Sequence, residues 1–263
     1  MAGTGTATGQ EVRGQELRGQ VALVTGGGSG IGGACALRLA RHGAAVAVID
    51  VDGDAAARLA AKAGPEAVAV TADLADITAA ERVVPEVVAR LGRLDILVNN
   101  VGIFSPVSLQ ESTYELWNRL VSVNLGSALF FTKFAAKHMI RQGNGGRVVN
   151  IGSASGHQGG GNPVYASTKA AIGGLTRSSA AELAAFGINV NAVAPGLTVT
   201  EASLRERNGL EFLQRMVSDG TERNFLGRLT EPDDVASAVA YLCLPESRQI
   251  TGQVIHVSAG AVV

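Results

Sequence analysis

Long apolar runs are absent from this 263-residue chain, and cysteine, aromatic and strongly basic stretches are scarce. No segment approaches the roughly 18 apolar residues that a bilayer-spanning helix needs, so no membrane partner is expected. The only cysteines, Cys35 and Cys243, lie far apart in helical patterns, which excludes a disulfide framework and points to a reducing, cytoplasmic setting. His42, His138, His157 and His256 share no metal-ligand spacing, so no metal is expected. Lysine and arginine number 22 against 23 acidic residues, a net charge of −1 without a basic cluster, so nucleic acid is not an expected partner. Small neutral molecules fit better. Residues 1–16 lack the apolar core of a secretory signal and read as a mobile N-terminal tail before a domain over 17–263.

What the chain does have is a 46% hydrophobic content, enough for a large two-sided core. Short β-branched runs recur at Val21–Val24, Ala45–Ile49, Ala67–Thr71, Leu94–Val98, Arg147–Ile151, Ile188–Val193 and Gln253–Val257, with helical patterns between them. Runs without polar alternation are strands covered on both faces, and helical intervals of this length supply right-handed crossovers. The pattern predicts one α/β domain, a doubly wound Rossmann fold with a seven-stranded parallel sheet flanked by helices. No linker or internal repeat divides it, and Gly143–Gly146 and Gly159–Gly161 are loop punctuation. A polar, mostly helical stretch, about residues 197–227, reads as a lid over the carboxyl edge of the sheet.

The first strand runs into Thr25-Gly26-Gly27-Gly28-Ser29-Gly30-Ile31-Gly32 and then into a helical pattern from Ala34. Glycines there let the backbone approach a pyrophosphate, whose charge is met by free N–H groups at the helix's positive end. Gly28, Gly30 and Gly33 also spell G-x-G-x-x-G, but that frame starts three residues past the strand, so Gly26, Gly30 and Gly32 are preferred. Ser29 and Ile31, between them, count among the cofactor-binding residues. Asp50 ends the second strand about 20 residues on, where a carboxylate accepts ribose hydroxyls and repels a 2′-phosphate. Neither Ser29 nor Val51 is basic, so NAD is favoured over NADP.

Tyr165-Ala166-Ser167-Thr168-Lys169 opens a long helical pattern, which sets Tyr165 and Lys169 one turn apart on one face. Two unit charges ~4 Å apart at an effective dielectric of ~20 interact by ~4 kcal/mol, about three pKa units, enough to bring a phenol near neutral pH. Val148–Ser153 is a strand ending in a hydroxyl at the sheet's carboxyl edge, where open α/β sheets bind ligands. Ser155 is the rival hydroxyl, two residues further into the loop.

With these residues together the chain, from about Leu17 to Gly260, resembles the short-chain dehydrogenase/reductase family. That family's T-G-x-x-x-G-x-G turn is matched by Thr25, Gly26, Gly30 and Gly32, and its Asn, Ser, Tyr and Lys set by Asn124, Ser153, Tyr165 and Lys169. Asn99-Asn100-Val101-Gly102 stands for its Asn-Asn-Ala-Gly, and the resemblance puts Asn99 and Gly102 beside the cofactor. It likewise assigns Asp73 and Leu74 to the adenine, and Pro195, Gly196, Thr198 and Thr200 to the nicotinamide carboxamide. Ser258-Ala259-Gly260 departs from the usual Asp-Gly-Gly, which bears on subunit contacts. The resemblance implies an NAD(H)-dependent oxidoreductase interconverting a secondary alcohol and a ketone, and a homotetramer. Ile103, Phe104, Val164, Leu197, Leu204, Leu210, Phe212 and Met216, in loops expected to build the pocket, suggest an apolar or cyclic substrate, tempered by Arg205, Arg207, Arg215 and Arg223. An NADPH-dependent 3-ketoacyl-type reductase and a non-catalytic NAD-binding protein are the alternatives.

Overall fold

The computed structural model describes residues 14–158, 162–206 and 209–262. Most of the expected mobile tail (residues 1–13), the glycines at 159–161 and Arg207 lie outside the described residues. Strands and helices alternate in the order β1 (Val21–Thr25), α1 (Gly30–Arg41), β2 (Ala45–Asp50), α2 (Gly53–Ala63), β3 (Val68–Thr71), α3 (Ala79–Leu91) and β4 (Ile96–Asn99). There follow α4 (Tyr114–Val121), α5 (Ser127–Gln142), β5 (Gly146–Ile151), α6 (Pro163–Leu183), β6 (Ile188–Pro195), α7 (Glu201–Glu206), α8 (Leu210–Ser218), α9 (Pro232–Cys243) and β7 (Val254–Val257). The seven strands pair parallel in the order β3-β2-β1-β4-β5-β6-β7.

Helices cover both faces of the sheet. Leu23 of β1 and Leu97 of β4 join Val83, Val87, Phe131 and Met139 beneath α3 and α5, while Val24, Val48 and Val98 join Cys35, Leu39 and Val239 beneath α1 and α9. Successive strand residues thus enter opposite cores, which is why the strands read as unbroken apolar runs. Strand order reverses between β1 and β4, so the loops after these strands diverge and leave a crevice at the carboxyl edge.

Two local features place the site. Asn162 caps α6, its side chain accepting from the Tyr165 N–H at 2.8 Å, and Pro163 occupies the first turn, so the helix begins two residues before the tyrosine. Between α4 and α5 the chain makes one π-helical turn, Ser122–Gly126, with Asn124 buried in it. The interrupting segment after β6 carries α7 and α8, as its polar helical pattern suggested.

Candidate active site

One cavity of about 690 Å³ opens along the carboxyl edge. Its lining brings together Gly26, Ser29, Gly30, Ile31, Asp50, Gly102, Ser153, Tyr165, Lys169, Pro195, Gly196, Thr198 and Thr200, each singled out in the sequence. Gly26 and Gly30 have φ of +61° and +54°, a region that disfavours a side chain. At Gly32 a Cβ would overlap the Gly26 carbonyl, so the turn can fold over the helix only if this residue is glycine. Gly28 and Gly33 serve packing instead, against Asp50 and Leu59. The helix behind the turn also lacks a side-chain cap, whereas α2, α4 and α6 are capped by Asp52, Thr113 and Asn162. Uncapped N–H groups beneath a glycine turn suit a phosphate, so the residues present fit a dinucleotide.

The Asp50 carboxylate is held at the end of β2, accepting from the Gly28 N–H at 2.8 Å and the Asp52 N–H at 3.1 Å. Thr200 approaches the turn from the opposite side, its methyl about 3.5 Å from the Cβ position of Gly30. The loops after β1 and β6 therefore face each other across the crevice.

Lys169 is buried and donates to the Ile151 carbonyl at 2.9 Å. Burial lowers its pKa from 10.5 to about 8, because a low-dielectric surrounding disfavours the ammonium. The ammonium lies 5.9 Å from the centroid of the Tyr165 ring, and Phe104 meets the same ring edge-on at 5.1 Å. Gly102 packs against the lysine head: a Cβ there would stand 3.1 Å from Nζ and 3.4 Å from Asn124 Oδ1. Ser153 Oγ accepts from the Ser155 N–H at 3.2 Å and retains its own proton for donation. The rival Ser155 also lines the cavity.

Asn124 sits one layer behind the lining. Its Oδ1 accepts from the Ile103 N–H at 2.8 Å, and its Nδ2 donates to the Ile103 carbonyl at 3.0 Å and to Thr168 Oγ1 at 3.1 Å. Asn99 is likewise set back, donating to Ala128, Thr132 and Asn150 in a buried network. Asp73 is exposed and Leu74 is buried in the core; neither is in the cavity lining. Of the apolar residues expected in the pocket, Ile103, Phe104 and Leu197 line it, while Val164, Leu204, Leu210, Phe212 and Met216 do not.

Asn100 and Arg119 had no clear signal in the sequence. Asn100 Nδ2 donates to the Thr25 and Gly26 carbonyls, both at 3.0 Å, and Thr25 Oγ1 accepts from the Asn100 and Val101 N–H groups, so β4's loop is laced to the glycine turn. Arg119 and Arg205 join Glu201 and Glu222 in the lining and give part of the cavity a polar wall. Ala259, the position at which the resemblance implies a glycine, holds a left-handed φ of +50°, and its carbonyl accepts from Phe225 and Leu226. The C-terminal segment thereby anchors the end of the segment that carries α8. Among the described residues no helix is long and apolar enough to cross a membrane, and no cluster of three or more metal-ligating side chains occurs.

Comparison with known proteins agrees with this architecture. A family model described as enoyl-(acyl carrier protein) reductase matches residues 26–262. Sorbitol dehydrogenase of Cereibacter sphaeroides is 36% identical over 251 residues, covering 93% of this chain and 98% of that protein. L-rhamnose 1-dehydrogenase (NAD(P)(+)) of Azotobacter vinelandii is 38% identical over 250 residues, covering 92% of this chain and 96% of the relative. A solved short-chain dehydrogenase/reductase from Serratia marcescens superposes with a TM-score of 0.86 at 35% identity, over 94% of this chain and all of that one. The chain belongs to the short-chain dehydrogenase/reductase family of oxidoreductases.

Proposed function

We propose that the protein is an NAD(H)-dependent oxidoreductase that interconverts a secondary alcohol and a ketone, acting on a substrate with an apolar or cyclic body. The observation that carries this reading is one shared cavity: Tyr165, Ser153 and Lys169 line the same crevice as Gly26, Gly30 and Asp50. Backbone N–H groups from Gly26 to Gly32 would hold the pyrophosphate, and Asp50 the adenosine ribose. The family resemblance assigns Gly102 to the cofactor border and Pro195, Gly196, Thr198 and Thr200 to the carboxamide, all in the lining, whereas Asp73 and Leu74, which it assigns to the adenine, and Asn99 lie outside that lining. When bound, NAD supplies the hydride acceptor for oxidation and NADH the donor for reduction.

The chain's own residues handle the proton. In the oxidative direction Tyr165 Oη accepts the substrate hydroxyl proton while Ser153 donates a hydrogen bond to the oxygen that loses it. Lys169 favours the phenolate and would hold the nicotinamide ribose; Asn124 would position a water that joins the lysine to solvent. Ile103, Phe104 and Leu197 offer apolar walls to the substrate. A carboxylate fixed at Asp50 by two backbone donors disfavours a 2′-phosphate, which supports NAD over NADP. A cytoplasmic homotetramer is the working form this reading implies, on the family resemblance.

The test is steady-state turnover with NAD and NADP, and with NADH and NADPH, across a panel of cyclic and aromatic secondary alcohols and ketones. The expected result is a kcat/KM for NAD at least about tenfold above that for NADP, since a charge-assisted hydrogen bond is worth about 1.5 kcal/mol or more and about 1.4 kcal/mol is a factor of ten. A preference for NADP, or tight NAD binding without turnover of any panel member, would contradict it.

A further inference from the structure

We infer that Thr168 is a positioning residue that ties Asn124 to the helix bearing Tyr165 and Lys169. Its side chain is buried between the two. A hydroxyl has one proton and accepts through its lone pairs. Thr168 Oγ1 accepts from Asn124 Nδ2 at 3.1 Å, and its own proton goes to the Tyr165 carbonyl at 2.8 Å. The remaining hydrogen bonds of the Asn124 amide go to Ile103 N–H and carbonyl. Ile103 belongs to the loop after β4, which also presents Phe104 to the Tyr165 ring.

The consequence is mechanical. Asn124 is clamped on one side by a loop and on the other by α6, and Thr168 is the α6 side of the clamp. Through it the π-helical turn, the Ile103–Phe104 wall and the Tyr165–Lys169 pair hold one register. Helix propensity does not account for a threonine here, because a β-branched residue bonding back to the carbonyl three residues earlier is neutral to unfavourable within a helix. A buried apolar residue of the same shape would satisfy packing, yet would leave one Asn124 N–H without its partner.

The inference rests on reading Tyr165 and Lys169 as the reacting pair, and the two can fail separately. Thr168→Val, Thr168→Ser, Asn124→Ala and Tyr165→Phe are compared with the parent, using NAD with cyclohexanol and 1-phenylethanol as probes. In Thr168→Val, kcat is expected to fall about tenfold, the effect of one buried hydrogen bond, with KM for NAD held within about twofold. Its pH–rate profile is expected to move to higher pH, and Thr168→Ser to restore both. In an Asn124→Ala background Thr168→Val is expected to add nothing further. Independently of turnover, the Asn124 side-chain amide resonance, identified by its loss in Asn124→Ala, is expected to shift in Thr168→Val and to return in Thr168→Ser.

An unshifted Asn124 resonance in Thr168→Val overturns the proposal, whether or not the probes are turned over. So do a parental kcat and pH profile beside a lowered melting temperature, which mark an ordinary core hydroxyl. If Tyr165→Phe is inactive while Thr168→Val is parental, only the role of Thr168 is lost; if Tyr165→Phe keeps parental turnover, the catalytic reading itself falls.

Discussion

The ammonium of Lys169 donates to the carbonyl of Ile151, two residues before Ser153 on the same strand end. One hydrogen bond therefore links the helix that carries the tyrosine to the strand that delivers the serine. The arrangement has a thermodynamic signature. With a folded-state pKa of about 8 against the ordinary lysine value of 10.5, the folded protein binds fewer protons than the unfolded chain between those values. Stability contributed through this group therefore rises as pH increases from about 8 to 10.5, and the group is a burden at lower pH. Denaturant unfolding of the parent and of Lys169→Met at about pH 7, 8.5 and 10 measures this. The stability difference between them is expected to change in favour of the parent as pH rises; a difference independent of pH would place the lysine in solvent.

Asp50 should set the nucleotide preference. Asp50→Asn keeps the shape and removes the charge that accepts from Gly28 and would accept from a ribose. Loss of a charge-assisted hydrogen bond is worth about 1.5–3 kcal/mol, so kcat/KM for NAD is expected to fall roughly 10–100-fold and the discrimination against NADP to narrow. Unchanged kinetics with both nucleotides would remove Asp50 from the cofactor site.

Gly32 is buried and admits no side chain, because a Cβ would collide with the Gly26 carbonyl and the Asn100 amide. Gly32→Ala is expected to displace the turn, to lower stability by about 1–3 kcal/mol and to abolish calorimetrically detectable NADH binding. Gly174→Ala, on α6 with open space around its Cβ position, is the control and should bind NADH as the parent does. Normal binding by Gly32→Ala would mean that the turn does not receive the pyrophosphate.

Cys35 and Cys243 are both fully buried thiols, and burial pushes Cys243 up to about 12 and Cys35 higher still. Thiolate is the reactive form, so neither should react with an aromatic disulfide reagent at about pH 8 until the chain unfolds. The expected titration is zero thiols in the native protein and two in denaturant. Rapid modification of a native thiol would contradict the packing of α1 against α9.

Much of the architecture was legible because strands covered on both faces leave unbroken apolar runs, and because a glycine turn must follow its strand directly. Boundaries were less so: Leu94 and Asp95 read as the start of β4, but the Asp95 carboxylate takes the Val21 N–H and Arg93, and the strand begins at Ile96. In the site, residues whose chemistry is in their side chains, such as Tyr165, Lys169 and Asp50, stood out by type and spacing. Asn100 and Thr168 did not, since each acts by bonding to groups distant in the chain that only the fold brings near. The pocket walls were the least legible part: Arg119 reaches the cavity from α4, outside the loops that sequence order suggested.

The most direct test is Tyr165→Phe, which removes one oxygen and leaves the ring against Phe104. Positioned general acid–base catalysis contributes roughly 10²–10⁴-fold, so kcat with NAD and a secondary alcohol is expected to drop by at least about a hundredfold while NADH affinity by calorimetry stays near the parent's. Turnover close to parental in that variant would contradict the assignment of the tyrosine as the proton-transfer group.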